Sequence, residues 1–466
     1  MGQRFVACDR DQSFLMPPDV REWLPENHLA WFVIDAVGEM NLDAFYAAYR
    51  SDGRSRPAYD PAMMVGLLLY AYARGIRSSR VIERACQEDV AFRVLAAQEA
   101  PDHATIARFI ERHQDAIAGL FSEVLSLCAQ HGLAKVGVIA VDGTKVPANA
   151  SRDAHADYEQ IAREILEEAK ATDAAEDELY GDARGDELPE EWRSGDGRRT
   201  WLRDARRRLE EQREKEARPI ARDRPKRLKE AKRRLDEELW TEVRANEAYE
   251  RYRTGRMRDG RRFSAPPKPY TPPEIPEGKI NLTDPDSRLL KGPRGRGFLQ
   301  GYNAQAVANE HQIVIAAEVT TTAPDFGRLE PMLEAAEREL QAAGVTDTPQ
   351  VVLGDAGYWH KEQIERLAAR GISALVPPDA QDRKGERPGW HGGLYSFMRS
   401  VLSTDHGAEL YRQRQTIIET VFAQTKFNRG INRFRRRGRA AVRAEWRLIT
   451  ATHNLLKLHR HTLASA

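Results

Sequence analysis

Three acidic residues lie in strand and helix patterns that predict that their side chains come together in the fold. Asp142 follows the apolar run 136–141 and precedes a glycine, while Asp355 follows a second apolar run, 351–353. Short β-branched runs of this kind predict buried strands, with each aspartate at or near the carboxyl end of its strand. Glu419 lies in a segment whose apolar residues recur at helical spacing. Burying a lone carboxylate is costly, so these acids need a cation or a metal ion as partner.

Two strand-borne aspartates and one helix-borne glutamate predict a site for divalent cations. Hard cations such as Mg²⁺ take oxygen ligands, and a pair of them can activate a water or hydroxyl and stabilise a leaving phosphate-ester oxygen. The sequence therefore predicts phosphoryl-transfer chemistry at Asp142, Asp355 and Glu419. Other acids lack a preceding strand run of the same kind: Asp284, Asp325 and Glu330 as substitutes for an aspartate, and Glu409 and Glu445 for the glutamate.

A run of cations follows the predicted glutamate. Residues 426–443 contain eight cations and no acid, and they begin seven residues beyond Glu419. A charge run is usually a solvated face, but this position favours contact with a phosphate backbone. The eight are Lys426, Arg429, Arg433, Arg435, Arg436, Arg437, Arg439 and Arg443.

The overall composition excludes several other classes of protein. The chain has 466 residues, enough for two or three domains, and its net charge is only +1. Its three cysteines, Cys8, Cys86 and Cys128, are too scattered for a disulfide framework or a cysteine zinc site, which fits a reducing cytoplasm. No signal peptide is apparent, and no apolar run approaches the ~20 residues of a membrane span. We therefore expect a cytoplasmic protein without membrane segments.

The first part of the chain reads as helical. After an irregular arm at residues 1–20, Asp60 and Pro61 have the types expected at a helix start, and Gly75 at its end. Further helical patterns cover 79–97, 105–113 (after a capping Asp102) and 115–131. Short helices joined by tight turns fit either a helix-turn-helix DNA reader, with 105–113 nearest DNA, or a bundle that only packs on the next domain.

A long charged insertion follows the Asp142 strand. Residues 158–262 are dense in charged residues, with sparse leucines at helical spacing, which predicts helices laced by ion pairs. We expect a helical hairpin that projects from the core. A solvated spacer, a DNA-contacting arm and a dimerisation strut all fit it. The proline-rich residues 264–278 then read as a linker back to the core.

The remainder returns to alternating strands and helices. Residues 301–319 predict a hairpin with its turn near 309–311, and a helix at 327–343 follows. The Asp355 strand, a helix at 361–370 and a strand at 372–377 lead to the helix that bears Glu419. This order predicts a mixed sheet with helices on its faces.

Five motifs in this order resemble bacterial insertion-sequence transposases of the DDE type, in the group with an all-helical N-terminal domain. The helical region 12–132 resembles that domain. The motifs are Val-Asp-Gly-Thr-Lys-Val-Pro-Ala-Asn-Ala at 141–150, Gly-Tyr-Asn-Ala-Gln at 301–305, Gly-Asp-Ala-Gly-Tyr at 354–358, the pattern Y-x2-R-x4-E-x6-K at Tyr411, Arg414, Glu419 and Lys426, and the tail segments 437–446 and 454–457. Each motif alone is common, but all five in sequence are specific.

The resemblance implies an α+β or α/β fold: an RNase H-like mixed-sheet catalytic core, an all-helical N-terminal domain and a long charged helical insertion. It implies that Asp142, Asp355 and Glu419 hold two Mg²⁺, with Mn²⁺ as a substitute. The enzyme would cut at the ends of a mobile element and join the freed 3′ hydroxyl to target DNA by in-line attack on phosphorus.

The resemblance also implies the partners. These are double-stranded DNA, as terminal inverted repeats and as target, and a second copy of the chain, because two ends must be brought together. Lys145, Arg414 and Lys426 would contact phosphates, as would the arginines at 429–439. Tyr411 would stack on a base or sugar, or serve as a core residue. The expected location is the bacterial cytoplasm, at the nucleoid.

The predicted division of the chain is a helical DNA-binding domain at 1–132, a core at 133–157 and 279–430, the insertion with its linker at 158–278, and a basic helical tail at 431–466. Two departures from the family pattern matter. The insertion here is long and helical and lies between the first and second strands, whereas relatives of the broader class carry a β-rich insertion before the last catalytic helix. The cysteine cluster of some members is also missing, so we expect no zinc. A metal-dependent nuclease of the same fold and a domesticated transposase that only binds DNA are the alternatives.

Overall fold

The computed structural model describes residues 20–49, 58–151, 154–171, 198–215, 220–221, 223–255, 270–271, 273, 279–291, 297–380, 385 and 389–465. The predicted arm at 1–20 and linker at 264–278 lie outside these residues, apart from isolated positions, and so does Cys8. Every helix in the described ranges is too short or too polar to cross a membrane.

Eight strands are present in the described ranges. In chain order they are β1 (Val138–Pro147), β2 (His155–Asp157), β3 (Lys279–Asn281), β4 (Arg288–Lys291), β5 (Phe298–Asn309), β6 (Val314–Thr320), β7 (Val351–Leu353) and β8 (Ser373–Leu375).

The main sheet is mixed, and β1 is its central strand. β1 pairs antiparallel with β5 and parallel with β7, and β7 pairs parallel with β8. On the far side of β5, the strands β4 and β6 both pair antiparallel with it. The β5–β6 hairpin turns between Asn309 and Ile313, as predicted, and Asn309 braces the turn through its side-chain oxygen. The predicted mixed sheet is therefore confirmed.

Strand β1 differs from the prediction in where it ends. The sequence placed Asp142 at a strand end, but β1 continues through it to Pro147, with Asp142 opposite Ala306 of β5. The strand persists because β5 supplies backbone partners as far as Gly301. Pairing with β7, by contrast, stops at Ala140. Asp142 therefore lies just beyond the last residue of β1 that pairs with β7, where the β7 side of the strand is unpaired.

Sixteen α-helices lie in the described ranges. They are α1 (Leu29–Glu39), α2 (Asp43–Tyr46), α3 (Pro61–Ala73), α4 (Ser79–Glu88), α5 (Val90–Leu95), α6 (His103–Arg112), α7 (Gln114–Gln130), α8 (Tyr158–Ala171), α9 (Arg198–Lys215), α10 (Arg224–Thr254), α11 (Leu329–Ala342), α12 (Lys361–Ala369), α13 (Gly393–Ser403), α14 (Asp405–Arg414), α15 (Thr420–Ala423) and α16 (Arg439–Ser465).

The N-terminal helices begin and end where the sequence predicts, with one exception. The Asp60 side chain accepts a hydrogen bond from the Ala62 N–H at the start of α3, and Gly75 follows the helix with a φ of 77°. Asp102 caps α6 in the same way. The helix predicted at 79–97 is instead two helices, because Asp89 ends α4 and caps α5. The choice between a DNA reader and a plain bundle stays open.

The described parts of the insertion are mainly helical and rich in ion pairs, as predicted. The insertion leaves and rejoins the core through the two-stranded sheet of β2 and β3, which fixes its two ends side by side. Arg213 of α9 bonds Glu237 and Glu238 of α10. Glu210 of α9 accepts from Arg288 of the core. The hairpin is therefore anchored to the core at this point instead of only projecting from it.

The C-terminal helix α16 is a core element, which corrects the prediction of a basic tail. It packs against α3, α7 and β6. Trp446 is 1% exposed, and its indole N–H donates to the Gln305 carbonyl. Asn454 bonds both the N–H and the carbonyl of Val314. Apolar periodicity, rather than positive charge, determines where this helix lies.

Glu445, weighed as an alternative to Glu419, is a buried structural acid. It is 1% exposed, it pairs with Arg77 at 2.9 Å, and it accepts hydrogen bonds from the backbone N–H groups of Arg435 and Arg436.

We predict that Glu445→Gln lowers the free energy of unfolding by about 3 kcal/mol, because Arg77 is then buried without its counter-charge. Urea unfolding measures this. The exposed Glu409→Gln is the matched control, and an equal loss in both variants would contradict the assignment.

Candidate active site

Arg414 links the first predicted acid to the third. Its guanidinium donates to Asp142 Oδ2 at 3.0 Å and to Glu419 Oε1 at 2.9 Å. The strand acid and the helix acid, 277 positions apart in the chain, are therefore adjacent. Burial opposes the charge of Arg414, but Asp142 and its other acidic neighbours raise the pKa of the guanidinium above its ordinary value.

Asp355 lies just beyond the carboxyl end of β7. Its side chain accepts the Gly357 N–H at 2.9 Å and so caps the short 3₁₀ turn Ala356–Tyr358. Burial raises the pKa of Asp355, and the nearby charge of Asp325 adds to this effect. Because β7 is the parallel neighbour of β1, the second acid stands next to the open edge at Asp142.

The site carries more negative charge than its surroundings balance. Burial and then the charge of Asp355 raise the pKa of Asp142 to about 7, although Arg414 acts in the opposite direction. A carboxyl whose pKa stays high beside an arginine indicates that further positive charge would be favourable there.

Glu419 and Lys426 both belong to π-helical turns, Gln415–Glu419 and Gln424–Asn428. Such turns are uncommon and frequently mark functional positions. The apolar residues Ile417 and Ile418 are buried beneath, which leaves Glu419 half exposed on the opposite side.

Three other residues predicted to contact DNA lie around these acids. Lys426 Nζ bonds Thr144 Oγ1, two residues beyond Asp142, and burial lowers the pKa of this lysine. Tyr411 is half-buried beside Arg414, and burial raises the pKa of its hydroxyl. Lys145 donates instead to the Lys291 carbonyl at 2.7 Å, on the β4 side of the sheet.

The arginine run mostly bonds to the protein itself. Arg429 donates to the Ile449 carbonyl and Thr452, Arg433 to the carbonyls of Ala148 and Ala150, Arg436 to Gln114, Arg437 to the Asn149 carbonyl, and Arg439 to Thr321 and the Glu210 carbonyl. Arg439 is only 5% exposed. For all of these arginines the contact with phosphate stays a prediction. Within the described chain, Arg435 is exposed and its side chain bonds no protein group.

The donor set suits a hard divalent cation, since it consists of carboxylate oxygens. Among the described residues, no group of three or more Asp, Glu, His or Cys side chains is placed so that it could hold a metal ion. Arg414 lies between Asp142 and Glu419 and donates a hydrogen bond to each of them. The residues fit such a cation by chemistry, and Arg414 supplies the positive charge in this arrangement.

Sequence reasoning missed a polar group that adjoins the acids. Asn303 and Gln305 of β5 donate to Asp325 Oδ1 at 2.8 and 2.6 Å, and Tyr358 bonds Gln305. Both amides lie in the motif 301–305, and strand alternation places them on one face. Asp325 was only an alternative acid, because it follows β6 in a loop without an apolar run directly before it.

Two known families match the chain. Residues 18–112 match a transposase domain (DUF772), and residues 259–455 match the transposase DDE domain. Asp355 and Glu419 lie inside the second match, whereas Asp142 lies between the two. No curated protein and no solved structure matches the chain.

We predict that Asp142→Asn stabilises the protein when EDTA removes divalent cations. The folded-state pKa of about 7 exceeds the unfolded value, so the folded state holds this proton more tightly and wild type loses stability as pH rises through 7. At pH 8 the variant should gain on the order of 2 kcal/mol. The gain should shrink toward pH 5. Urea unfolding at both pH values measures it, and a less stable variant at pH 8 would contradict the account.

Proposed function

Since the chain belongs to the DDE-type insertion-sequence transposases, we propose that it cuts DNA at the ends of a mobile element and joins those ends to target DNA by phosphoryl transfer. Asp142, Asp355 and Glu419 are the residues proposed to hold two divalent cations, Mg²⁺ or Mn²⁺. The observation that carries this proposal is the meeting, near Arg414, of acids from β1, from just beyond β7 and from the π-helical turn Gln415–Glu419.

We assign the core to the RNase H-like class. Support comes from the mixed sheet, whose central strand carries the first acid and whose parallel neighbour delivers the second. The third acid, Glu419, belongs to the π-helical turn Gln415–Glu419, which packs on β1 and β5. Acids on three separate elements of one rigid sheet-and-helix unit are well suited to hold a reacting phosphate in a fixed geometry.

The chain's own residues would bind and orient the DNA. When bound, a cation pair supplies an activated water or hydroxyl and stabilises the leaving oxygen. Lys426 lies beside Thr144 on the strand of the first acid, so it can contact a phosphate close to Asp142. Arg414 would contact phosphate after its guanidinium leaves one of its two carboxylates. A dimer in the DNA complex follows from the need to hold two ends at once.

The first test is strand cleavage of a duplex that carries the element's end, with Mg²⁺, by wild type and Asp355→Asn. We predict that the variant loses cleavage by roughly a thousandfold or more while it still binds the end, because the substitution removes one carboxylate ligand and keeps the shape. Asp347→Asn, in the exposed loop before β7, is the matched control and should cleave like wild type.

The outcomes separate the alternatives. Equal cleavage by wild type and Asp355→Asn would remove Asp355 from the site. Tight end binding without cleavage by any of the three proteins would favour a chain that only binds DNA. Cutting by wild type without joining to target would favour a metal-dependent nuclease.

The role of Arg414 has a separate signature. In EDTA the guanidinium is held by Asp142 and Glu419, so Arg414→Gln should leave the affinity for the DNA end nearly unchanged. With Ca²⁺ present, wild type should bind the end roughly tenfold more tightly than the variant, because the freed arginine gains a charged hydrogen bond to phosphate. Fluorescence anisotropy in both buffers measures this. A tenfold loss in EDTA as well would show that Arg414 contacts DNA without leaving its carboxylates.

A further inference from the structure

The geometry points to Asp325 as a fourth acidic ligand of the site, which together with the side-chain oxygen of Asn303 serves the cation held by Asp355. This inference rests on the proposed function, because it adds two groups to the cation site proposed there.

The orientation of Asp325 is fixed by two amides. Asn303 Nδ2 and Gln305 Nε2 both donate to Oδ1, at 2.8 and 2.6 Å. A carboxylate only accepts, so these bonds also settle which way each amide faces. Among the described residues, Oδ2 of Asp325 receives no hydrogen bond, and it is therefore available to a ligand.

Asn303 provides an independent sign of a missing partner. The residue is 1% exposed, and its Oδ1 is buried without any hydrogen-bond partner. Buried acceptors are nearly always satisfied, and leaving one unpaired costs about 1–3 kcal/mol. Its amide nitrogen already bonds Asp325, so the unpaired oxygen lies beside that carboxylate. A bound cation would satisfy it, since amide oxygens are ordinary ligands of hard cations.

Two glycines make room for this arrangement. A Cβ at Gly143 would lie 2.7 Å from Asp325 Oδ1 and 2.8 Å from Asn303 Oδ1, so a side chain there would displace these groups. A Cβ at Gly357 would lie 3.0 Å from Asp355 Oδ1 and 3.6 Å from Asp325 Oδ2. The carboxylates of Asp325 and Asp355 therefore both lie close to Gly357, and the charges of both act on Asp142.

The local negative charge and the number of oxygen ligands that a cation needs both support Asp325 as a ligand. The negative charge of Asp325 contributes, after burial, to the raised pKa of Asp355. No described lysine or arginine bonds Asp325, so this part of the site has carboxylates without a bonded cation. Hard cations take six or more oxygens, and three carboxylates leave many positions of two cations to water. Asp325 and Asn303 would fill two of those positions from the protein.

Mn²⁺ binding, measured by calorimetry and by the electron paramagnetic resonance of free Mn²⁺, tests the inference without reference to activity. The proteins are full-length wild type, Asp325→Asn, Asp355→Asn and the control Glu330→Gln, whose carboxylate is paired with Arg366. We expect Asp325→Asn to weaken one Mn²⁺ site roughly tenfold or more. Asp355→Asn should weaken the same site, and Glu330→Gln should bind like wild type.

Each outcome decides one question. Wild-type affinity in Asp325→Asn with loss in Asp355→Asn would overturn the role of Asp325 and leave the proposed function standing. Absence of Mn²⁺ binding by wild type, alone and with the DNA end, would overturn the proposed cation chemistry itself. If Asp325→Asn does not fold, Asp325→Ser replaces it. The rise in melting temperature on adding Mn²⁺ is then compared between that variant and wild type, and an equal rise would overturn the inference.

Discussion

Carboxylates crowded into a partly buried space repel one another, and the rest of the site depends on how that repulsion is balanced. Burial and then the charge of Asp355 raise the pKa of Asp142, and burial and then the charge of Asp325 raise the pKa of Asp355. Arg414 supplies the balance that the chain itself provides, through its bonds to Asp142 and Glu419. One guanidinium does not cancel this much negative charge, which is why the pKa of Asp142 remains raised. The arrangement is one that a divalent cation would stabilise.

The fold maintains this unfavourable cluster through favourable packing around it. β1 lies between an antiparallel and a parallel neighbour, and its residues 138–141 are buried up to the position of the first acid. The C-terminal helix joins the sheet to the N-terminal helices, with Trp446 and Asn454 bonded to β5 and β6. Glu445 holds the backbone of the arginine-rich segment. The packing and hydrogen bonds that stabilise the fold therefore come from groups outside the cluster of acids.

Local sequence signals predicted the elements well. Asp60, Asp102 and Gly75 act at helix ends because capping depends on only a few neighbouring residues. The hairpin of β5 and β6 and the apolar strands β1 and β7 were also predictable from short patterns. The end of β1 was not, because it depends on β5, a partner more than 150 residues away in the chain. The hydrogen bonds of the arginine run were not predictable for a similar reason. A charge pattern does not reveal that carbonyls of residues 148–150 accept from Arg433 and Arg437.

The most direct measurement of the central claim is a crystal structure of the chain with Mn²⁺ and a DNA end, with anomalous scattering used to locate the ions. The account predicts two anomalous peaks among Asp142, Asp355 and Glu419, one of them also contacting Asp325, with the Arg414 guanidinium moved from at least one carboxylate to a phosphate. Arg414 still bridging Asp142 and Glu419, with bound DNA in place and no peak between the acids, would contradict it.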